Sequence, residues 1–150
     1  MRVYLAAPLF GIAEREFNKC LAIAIMALDS QIKVLLPQVK AQEIPKDDSF
    51  PANMFDWCLN SINMADAVLA VFDGPDADSG TCIECGYAFA RRIPIIGIRT
   101  DLRGSEVQGV NIMVEHVCRK LIVELDVQNS VSEIAKCALD ALRNIPPSET

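Results

Sequence analysis

Short apolar runs alternate along this chain with longer segments in which apolar residues recur every three or four positions. An apolar run of about four to eight residues bounded by turn formers predicts a β-strand, and the longer spacing predicts an amphipathic helix. Strands are predicted at 2–7, 32–36, 67–72, 93–98 and 120–125, and helices at 14–28, 51–64, 81–91, 110–117 and 131–142. Strands and helices therefore alternate through the chain.

This alternation predicts the architecture. Strands that alternate with helices form a parallel sheet with helices on both faces. The 150 residues contain no internal repeat and no linker, so we expect a single domain at 1–150. The simplest arrangement is a flavodoxin-like three-layer sandwich with strand order 2-1-3-4-5. In that order strands 1 and 3 are neighbours, and residues 6–10 and 73–84 meet in one crevice.

Three segments show neither periodicity and are predicted to be irregular. Residues 38–50 are polar and contain Pro45, residues 99–110 carry charges and two glycines, and the tail 145–150 is rich in proline. Proline, glycine and polar residues between periodic segments are typical of loops. The first two are interpreted as loops and the tail as a frayed end.

Composition and charge narrow the classes of function. The chain is 51% hydrophobic, which suits a domain with a substantial core. No apolar run reaches the roughly 18 residues that span a bilayer, and the N-terminus lacks a signal-peptide pattern, so we expect a cytoplasmic protein. The net charge of −6 argues against a nucleic-acid polymer or an anionic membrane as partner. A small polar substrate is compatible with it.

The six cysteines are expected to remain reduced, as is usual in a cytosolic chain of this size. Cys20 and Cys137 fall among the apolar positions of predicted helices, where buried thiols are common. Cys82 and Cys85 form a CxxC motif inside a predicted helix. No second CxxC and no histidine pair completes a zinc site, so no metal is expected.

The stretch VFDGPDADSGTCIECGYAFA joins the third strand to the next helix and carries most of the candidate chemistry. Asp73, Asp76 and Asp78 follow the strand, and Glu84 lies in the first turns of the helix. Open α/β sheets bind ligands at this edge, and a helix N-terminus favours an ionised carboxylate. A pair of carboxylates in such a crevice suits glycosyl chemistry. The alternative is a helix capped by aspartate with Glu84 facing solvent.

The piece DSGTCIECGYA, which follows a strand and DGPD, resembles the nucleoside 2-deoxyribosyltransferase family. Three further pieces resemble that family in the same order: VYLAAPLF at the first strand, LNSINMADAVLAVFDG before the acidic loop, and GVNIMVEH after the fourth strand. The resemblance runs from residue 2 to about residue 116. It implies an enzyme that transfers deoxyribose between purine or pyrimidine bases of 2′-deoxynucleosides without a cofactor.

The resemblance also implies a role for each matched residue. Glu84 matches the nucleophile that attacks C1′ and forms a covalent deoxyribosyl-enzyme. Tyr4 matches the tyrosine whose hydroxyl orients that nucleophile, and Asp78 matches the aspartate that holds the sugar 5′-hydroxyl. Because a carboxylate repels a 5′-phosphate, Asp78 favours nucleosides over nucleotides.

Asn111 and Met113 match residues that a neighbouring subunit lends to the sugar end of the site. The resemblance therefore implies a homodimer or a higher homo-oligomer with a shared active site. From the residues alone, Asn111 is also compatible with a helix start and Met113 with a core position.

The proton donor for the leaving base stays open. Family members often carry an aspartate eight residues before the aspartate that precedes the third strand, and in this chain that position is Cys58. A thiol is a poor acid for this task unless its pKa is shifted. Asp73, at the end of the third strand, is a candidate catalytic acid, and Asp56 or a water molecule are the alternatives.

The base of the substrate needs an apolar slot beside the crevice. Phe10, in the turn after the first strand, is the predicted stacking residue, and Met54 is expected to border the same slot. Ala7 and Gly80, on the two turns that face each other, are also expected to contact substrate. Trp57 is interpreted as a helix-to-sheet packing residue.

Two alternatives to the transferase stay open. If water replaces the acceptor base on the same scaffold, the protein is a nucleoside or nucleoside-monophosphate N-glycosidase. The alternative from another class is a non-catalytic nucleotide-binding domain. The end of the first strand, AAP, lacks the acidic group of a phosphorylatable receiver, and GIAER lacks the GxGxxG of a dinucleotide binder.

Overall fold

The computed structural model describes residues 1–103, 110–126 and 128–145. Strands and helices follow one another along these residues. The strands are β1 (Arg2–Ala6), β2 (Lys33–Leu35), β3 (Ala67–Val71), β4 (Ile95–Arg99) and β5 (Lys120–Val123). The helices are α1 (Ile12–Leu28), α2 (Pro37–Glu43), α3 (Phe50–Asn63), α4 (Ser79–Ala90), α5 (Ile112–Val117) and α6 (Val131–Arg143).

The strands pair in parallel in the order β2-β1-β3-β4-β5, which confirms the predicted order. Ala6 at the end of β1 lies opposite Ala70 in β3. Val71 at the end of β3 lies opposite Ile98 in β4. Because these strands end at nearly the same level, the loops that follow β1, β3 and β4 emerge side by side at one edge of the sheet.

Side chains of the central strands alternate between two cores, as the pleat of a strand requires. Val3 and Leu5 of β1 belong to the core that α1 and α6 cover. Tyr4 and Ala6 belong to the second core, on the face covered by α3, α4 and α5. This alternation decides on which face of the sheet each functional side chain lies.

The segment 38–50, predicted as a loop, is helical in its first part. α2 begins at Pro37, and proline suits the first turn of a helix because its missing N–H is not needed there. The side chain of Gln38 donates a hydrogen bond to the carbonyl of Arg15 at 2.8 Å and so ties α2 to α1. A helix of seven residues shows too little periodicity to be detected in the sequence.

Other expectations are corrected at single positions. Arg99, placed in a loop by its charge, is the last residue of β4. Cys20 and Cys137 are exposed rather than buried, and in α1 the buried stripe runs through Leu21 and Ile25 instead. Residues 104–109 of the predicted loop and residues 146–150 of the predicted frayed tail lie outside the described residues.

Candidate active site

Asp78 caps the N-terminus of α4, where the loop after β3 ends. Its Oδ2 atom accepts hydrogen bonds from the backbone N–H of Thr81 at 2.8 Å and from the Thr81 hydroxyl at 3.1 Å. An aspartate in this position satisfies a helix N–H that otherwise has no partner. A Cβ atom at Gly80 would lie 3.1 Å from the same Oδ2, so glycine leaves room for the carboxylate. Asp78 is therefore held in a defined direction at the helix start.

Glu84 lies in the second turn of α4 and faces the sheet. The hydroxyl of Tyr4 donates a hydrogen bond to Glu84 Oε1 at 2.5 Å. Tyr4 is fully buried in β1, whereas Glu84 is half-buried. The two residues are 80 positions apart in sequence, and the pairing of β1 with β3, the strand that leads to α4, brings them together. Glu84 is therefore not a solvent-facing helix residue.

The surroundings of this pair shift both pKa values upward. Burial raises the pKa of Glu84, and the negative charge of Asp78 adds to the rise. Hydrogen bonds from Tyr4 and Cys58 lower the pKa of Glu84, because they stabilise its ionised form. Burial also raises the pKa of Tyr4, and the charge of Glu84 raises it further. Tyr4 therefore keeps its proton and serves as a fixed donor to the carboxylate.

Helix α3 supplies the neighbours of this pair. The rings of Tyr4 and Trp57 lie 6.3 Å apart at an angle of 45°, so Trp57 packs beside the sheet. The Cys58 thiol is close enough to Tyr4 and Glu84 to affect the pKa of each, and burial raises its own pKa to about 11. The thiol is therefore protonated at neutral pH. Met54, half-buried, precedes Cys58 by about one helical turn on the same side of α3.

Asp73 is engaged away from the Glu84 group, at the end of β4. Its Oδ1 atom accepts hydrogen bonds from the backbone N–H groups of Thr100 at 2.6 Å and Asp101 at 3.1 Å. Its Oδ2 atom accepts from the Thr100 hydroxyl. Both carboxylate oxygens thus accept hydrogen bonds from residues after β4, and the role of Asp73 as a catalytic acid stays a prediction. Asp73 is a structural anchor for the residues after β4.

Two residues of the turn after β1 lie apart from the buried group around Glu84. Ala7 packs against the core on the α1–α6 face, because alternation from Tyr4 sends its side chain to the opposite side of the sheet. Phe10 is 74% exposed. In the single chain the side chain of Phe10 is therefore exposed and does not lie inside a formed slot.

Asn111 and Met113 lie at the start of α5. Asn111 is the N-cap of that helix, and its side-chain oxygen accepts a hydrogen bond from the N–H of Met113 at 2.9 Å. The side chain of Met113 is 72% exposed, so the alternative of a core methionine is wrong. This end of α5 thus presents an apolar side chain beside a polar cap on the surface of the chain.

The sequence matches one protein family over most of its length. The model of the family described as nucleoside 2-deoxyribosyltransferase matches residues 3–124, which is most of the chain. This chain belongs to the nucleoside 2-deoxyribosyltransferase family. The resemblance read from the sequence motifs is thereby confirmed. A search among curated proteins found no match.

Solved structures share the fold of this family member at low sequence identity. A conserved protein from Enterococcus faecalis V583 has 22% identity and a TM-score of 0.70, with 91% of this chain and 95% of that one covered. The 2-deoxyribosyltransferase from Bacillus psychrosaccharolyticus has 18% identity and a TM-score of 0.70, covering 95% and 96%. The CMP N-glycosidase from Clostridium botulinum has 21% identity and a TM-score of 0.60, covering 92% and 98%. These likenesses confirm the flavodoxin-like sandwich.

Two hollows of this family member lie on the face opposite Glu84. The larger, of about 460 Å³, is lined by Phe17, Asp73 and Leu102 among others. The smaller, of about 220 Å³, shares Phe17 and Leu102. Neither is lined by Glu84. Among the described residues of this deoxyribosyltransferase-family chain, no group of three or more histidine, cysteine or acidic residues could hold a metal ion.

Two polar residues near the acidic loop of this family member were not predicted from the sequence. Thr81 holds Asp78, and the spacing of an aspartate three residues before a threonine at a helix start was the available signal. Arg99 is fully buried and donates to the carbonyls of Phe72 and Gly74. Its signal was a single charged residue at the end of the apolar run IPIIGIR.

Proposed function

We propose that this protein cleaves the N-glycosidic bond of a 2′-deoxynucleoside through a covalent bond to Glu84 and then transfers the deoxyribose to another base. The hydrogen bond of 2.5 Å from the buried Tyr4 hydroxyl to Glu84 carries the proposal. It fixes one oxygen of a half-buried carboxylate. Membership in the deoxyribosyltransferase family supports the same chemistry.

Glu84 acts as the nucleophile in the first step. One carboxylate oxygen attacks C1′, the bond from C1′ to the base nitrogen breaks, and its electron pair leaves with the base, which takes up a proton. In the second step a nitrogen of the acceptor base attacks C1′ from the same side and loses its proton, while Glu84 leaves as a carboxylate. Two inversions at C1′ give net retention.

Burial of Glu84 serves this chemistry in both steps. A carboxylate that is poorly solvated is less stabilised before reaction, and the developing positive charge at C1′ stabilises it in the transition state. Tyr4 remains protonated throughout, because its pKa is raised by burial and by Glu84. It therefore orients Glu84 and does not carry a proton between reactants.

Asp78 selects the substrate. Its Oδ2 atom is held by Thr81, and the carboxylate stands six residues before Glu84 at the start of the same helix. We propose that it accepts a hydrogen bond from the 5′-hydroxyl of the sugar. The negative charge disfavours a 5′-phosphate at the same position, so the substrates are nucleosides rather than nucleotides.

The proton that the leaving base needs comes from solvent water in this proposal. The Cys58 thiol has a pKa of about 11 and is too weak an acid to compete with a carboxylic acid. Asp73 is engaged at the end of β4, and Asp56 is exposed on another side of α3. Bases that leave readily, or that water can protonate easily, are therefore the better substrates.

We further propose that a second copy of the chain completes the site. Met113 is 72% exposed beside Asn111, and Phe10 is 74% exposed. Such surfaces suit an interface at which each subunit lends residues to its neighbour. Mixing Glu84→Gln with Asn111→Ser, which retains a capping oxygen, tests this idea. A shared site predicts recovered activity in the mixture; a strictly monomeric active protein would contradict it.

Hydrolysis is the second candidate, because water at C1′ in place of the acceptor base would release free sugar. The fold is shared with a CMP N-glycosidase as well as with a 2-deoxyribosyltransferase. Incubation with one deoxynucleoside, with and without a second base, separates the two reactions. A new nucleoside indicates transfer, and free sugar independent of the acceptor indicates hydrolysis.

The covalent step is tested by intact-mass measurement after mixing the protein with a 2′-fluorinated deoxynucleoside. Fluorine withdraws electrons from C1′ and slows breakdown of the adduct, so a mass increase equal to the fluorinated sugar is expected, with the label mapping to Glu84. Glu16→Gln, a matched change on the exposed face of α1, should still label, and Glu84→Gln should not. Absence of an adduct together with absence of turnover would favour a non-catalytic binding domain.

A further inference from the structure

Arg99 is the only charged residue among the large, fully buried side chains of the described chain, with 0% exposure. It ends β4, whose other residues are apolar. Ile95, Gly97 and Arg99 are every second residue of the strand and so share one face. Ile95 belongs to the core beside Tyr4, and a Cβ atom at Gly97 would lie 2.9 Å from Phe72 of the same core. Arg99 therefore leaves the sheet on the face that carries Tyr4 and Glu84.

The guanidinium group of Arg99 donates hydrogen bonds to main-chain carbonyls of two segments, one that follows β3 and one that follows β4. Its Nη1 atom donates to the carbonyl of Phe72 and, at 2.7 Å, to that of Gly74. Its Nε atom donates to the carbonyl of Asp101 at 3.0 Å. In the described residues Nη2 is buried without a partner. The Arg99 side chain thus connects the start of the β3–α4 loop to the residues after β4 through hydrogen bonds.

Two aspartates of the same segments accept hydrogen bonds from backbone N–H groups across the gap between the loops. The N–H of Gly74 donates to Asp101 Oδ2 at 3.0 Å, and the N–H of Thr100 donates to Asp73 Oδ1 at 2.6 Å. Gly74 adopts a φ of +119°, which residues other than glycine rarely adopt. We call these five residues, Asp73, Gly74, Arg99, Thr100 and Asp101, the clasp. It fixes the backbone at the start of the loop that ends at Asp78.

We propose that Arg99 is a positioning residue for recognition of the sugar 5′-hydroxyl, acting through Asp78; this rests on the proposed function. The loop is short: only residues 75–77 lie between Gly74, whose carbonyl accepts from Arg99, and Asp78, which Thr81 holds. The planar guanidinium has donors in fixed directions and can hold two carbonyls at once. A lysine at this position has one nitrogen on a flexible stem, so it would release part of the loop.

Steady-state kinetics with 2′-deoxyadenosine and with 2′,5′-dideoxyadenosine, which lacks the 5′-hydroxyl, test the proposal. Arg99→Lys should lower kcat/KM for 2′-deoxyadenosine by about 10- to 100-fold, mainly through KM, as expected when a binding group is displaced. The loss should nearly vanish with the dideoxy substrate or in the Asp78→Asn background. Arg143→Lys, which alters an ion pair with Asp29 distant from the clasp, is the matched control. Equal losses with both substrates would overturn the proposal.

Hydrogen exchange of the Gly74 and Thr100 amides supplies a readout that does not depend on activity. Arg99→Lys should accelerate exchange at both amides and leave the core of β1 unchanged. If Arg99→Lys does not fold, Asp101→Ala removes the acceptor of the Gly74 N–H and takes its place in both experiments. Unchanged exchange would overturn the clasp itself. If the wild-type protein turns over no deoxynucleoside while exchange is accelerated, the proposed function fails and the clasp stands.

Discussion

The pKa values of the carboxylates on the two faces of the sheet are shifted in opposite directions. On the α1–α6 side, Asp101 is bonded to Arg103 at 2.6 Å and accepts from the Gly74 N–H, and these contacts hold the pKa of Asp101 far below its usual range. On the other side, burial raises the pKa of Glu84. Carboxylates whose pKa values are driven apart by their surroundings have different tasks.

The difference lies in the number of donors. Asp73 and Asp101 each accept hydrogen bonds from several N–H or O–H groups, and these bonds hold the loops after β3 and β4 in place. Glu84 accepts from two side chains among the described residues, the Tyr4 hydroxyl and the Cys58 thiol. A carboxylate with few donors in a partly buried position is less stabilised and more reactive. Proximity of acidic residues in sequence therefore does not distinguish these carboxylates, whereas the number of their donors does.

The largest expected effect comes from removing the proposed nucleophile. Glu84→Gln should lower kcat for base exchange by about 10⁴-fold or more, the order seen when a catalytic nucleophile is lost. Asp101→Asn should lower kcat/KM far less, because Asp101 acts on the loop and not on the substrate. Glu16→Gln is the control for the chemical change itself. Comparable losses of activity in the Glu84→Gln and Asp101→Asn variants would contradict the assignment of different tasks to the two carboxylates.

An intermediate effect is expected from Tyr4→Phe, which removes the donor to Glu84 and should lower kcat/KM by about 10²-fold. Since the Tyr4 hydrogen bond lowers the pKa of Glu84, its loss should raise that pKa further. The acidic limb of the profile of kcat/KM against pH should therefore move to higher pH. Tyr87→Phe removes a comparable hydroxyl that donates to Asn63 on the surface, and it should leave the profile in place.

The smallest effect concerns stability, and it has opposite signs on the two faces. The pKa of Asp101 is lowered in the fold, so its contribution is present above the unfolded value of about 3.9 and is lost as the pH falls. The pKa of Glu84 is raised, so its contribution is present below about 4.3 and is lost as the pH rises through the folded value.

At neutral pH, Asp101→Asn should therefore lower Tm and Glu84→Gln should raise it, with about 2–4 °C for each kcal/mol in a chain of this size. Both differences should shrink when the melting curves are recorded near pH 3. Glu84 is then close to its protonated form, whereas Asp101 loses its contribution because the unfolded chain takes up a proton there that the folded chain does not. A Glu84→Gln variant that melts below the wild type at pH 7 would contradict the desolvation that raises the pKa of Glu84.

The sheet was predictable from the sequence because its signals are local and repeated. Buried strands such as AVLAV leave continuous apolar runs, and the helices between them impose parallel order. The helix α2 escaped because seven residues carry little periodicity, and Pro37 was read as the end of a strand rather than as the start of a helix.

The placement of the candidate side chains was predictable only where the motif fixes a spacing. Asp78 and Glu84 stand on one helix, so their placement follows from local geometry. The use of Asp73 could not be foreseen, since it depends on donors at Thr100 and Asp101 that only the pairing of β3 with β4 brings near. Arg99 was missed for the same reason, because its partners are backbone carbonyls and a sequence does not display those.

The narrow space between Gly80 and Asp78 limits which residues can replace Gly80. A methyl group at position 80 would stand 3.1 Å from the aspartate oxygen that Thr81 also holds. A larger residue there requires the carboxylate to shift by a few tenths of an ångström, so position 80 and the cap do not vary independently. Positions 78, 80 and 81 should be mutated together by anyone who seeks a variant for sugars altered at C5′.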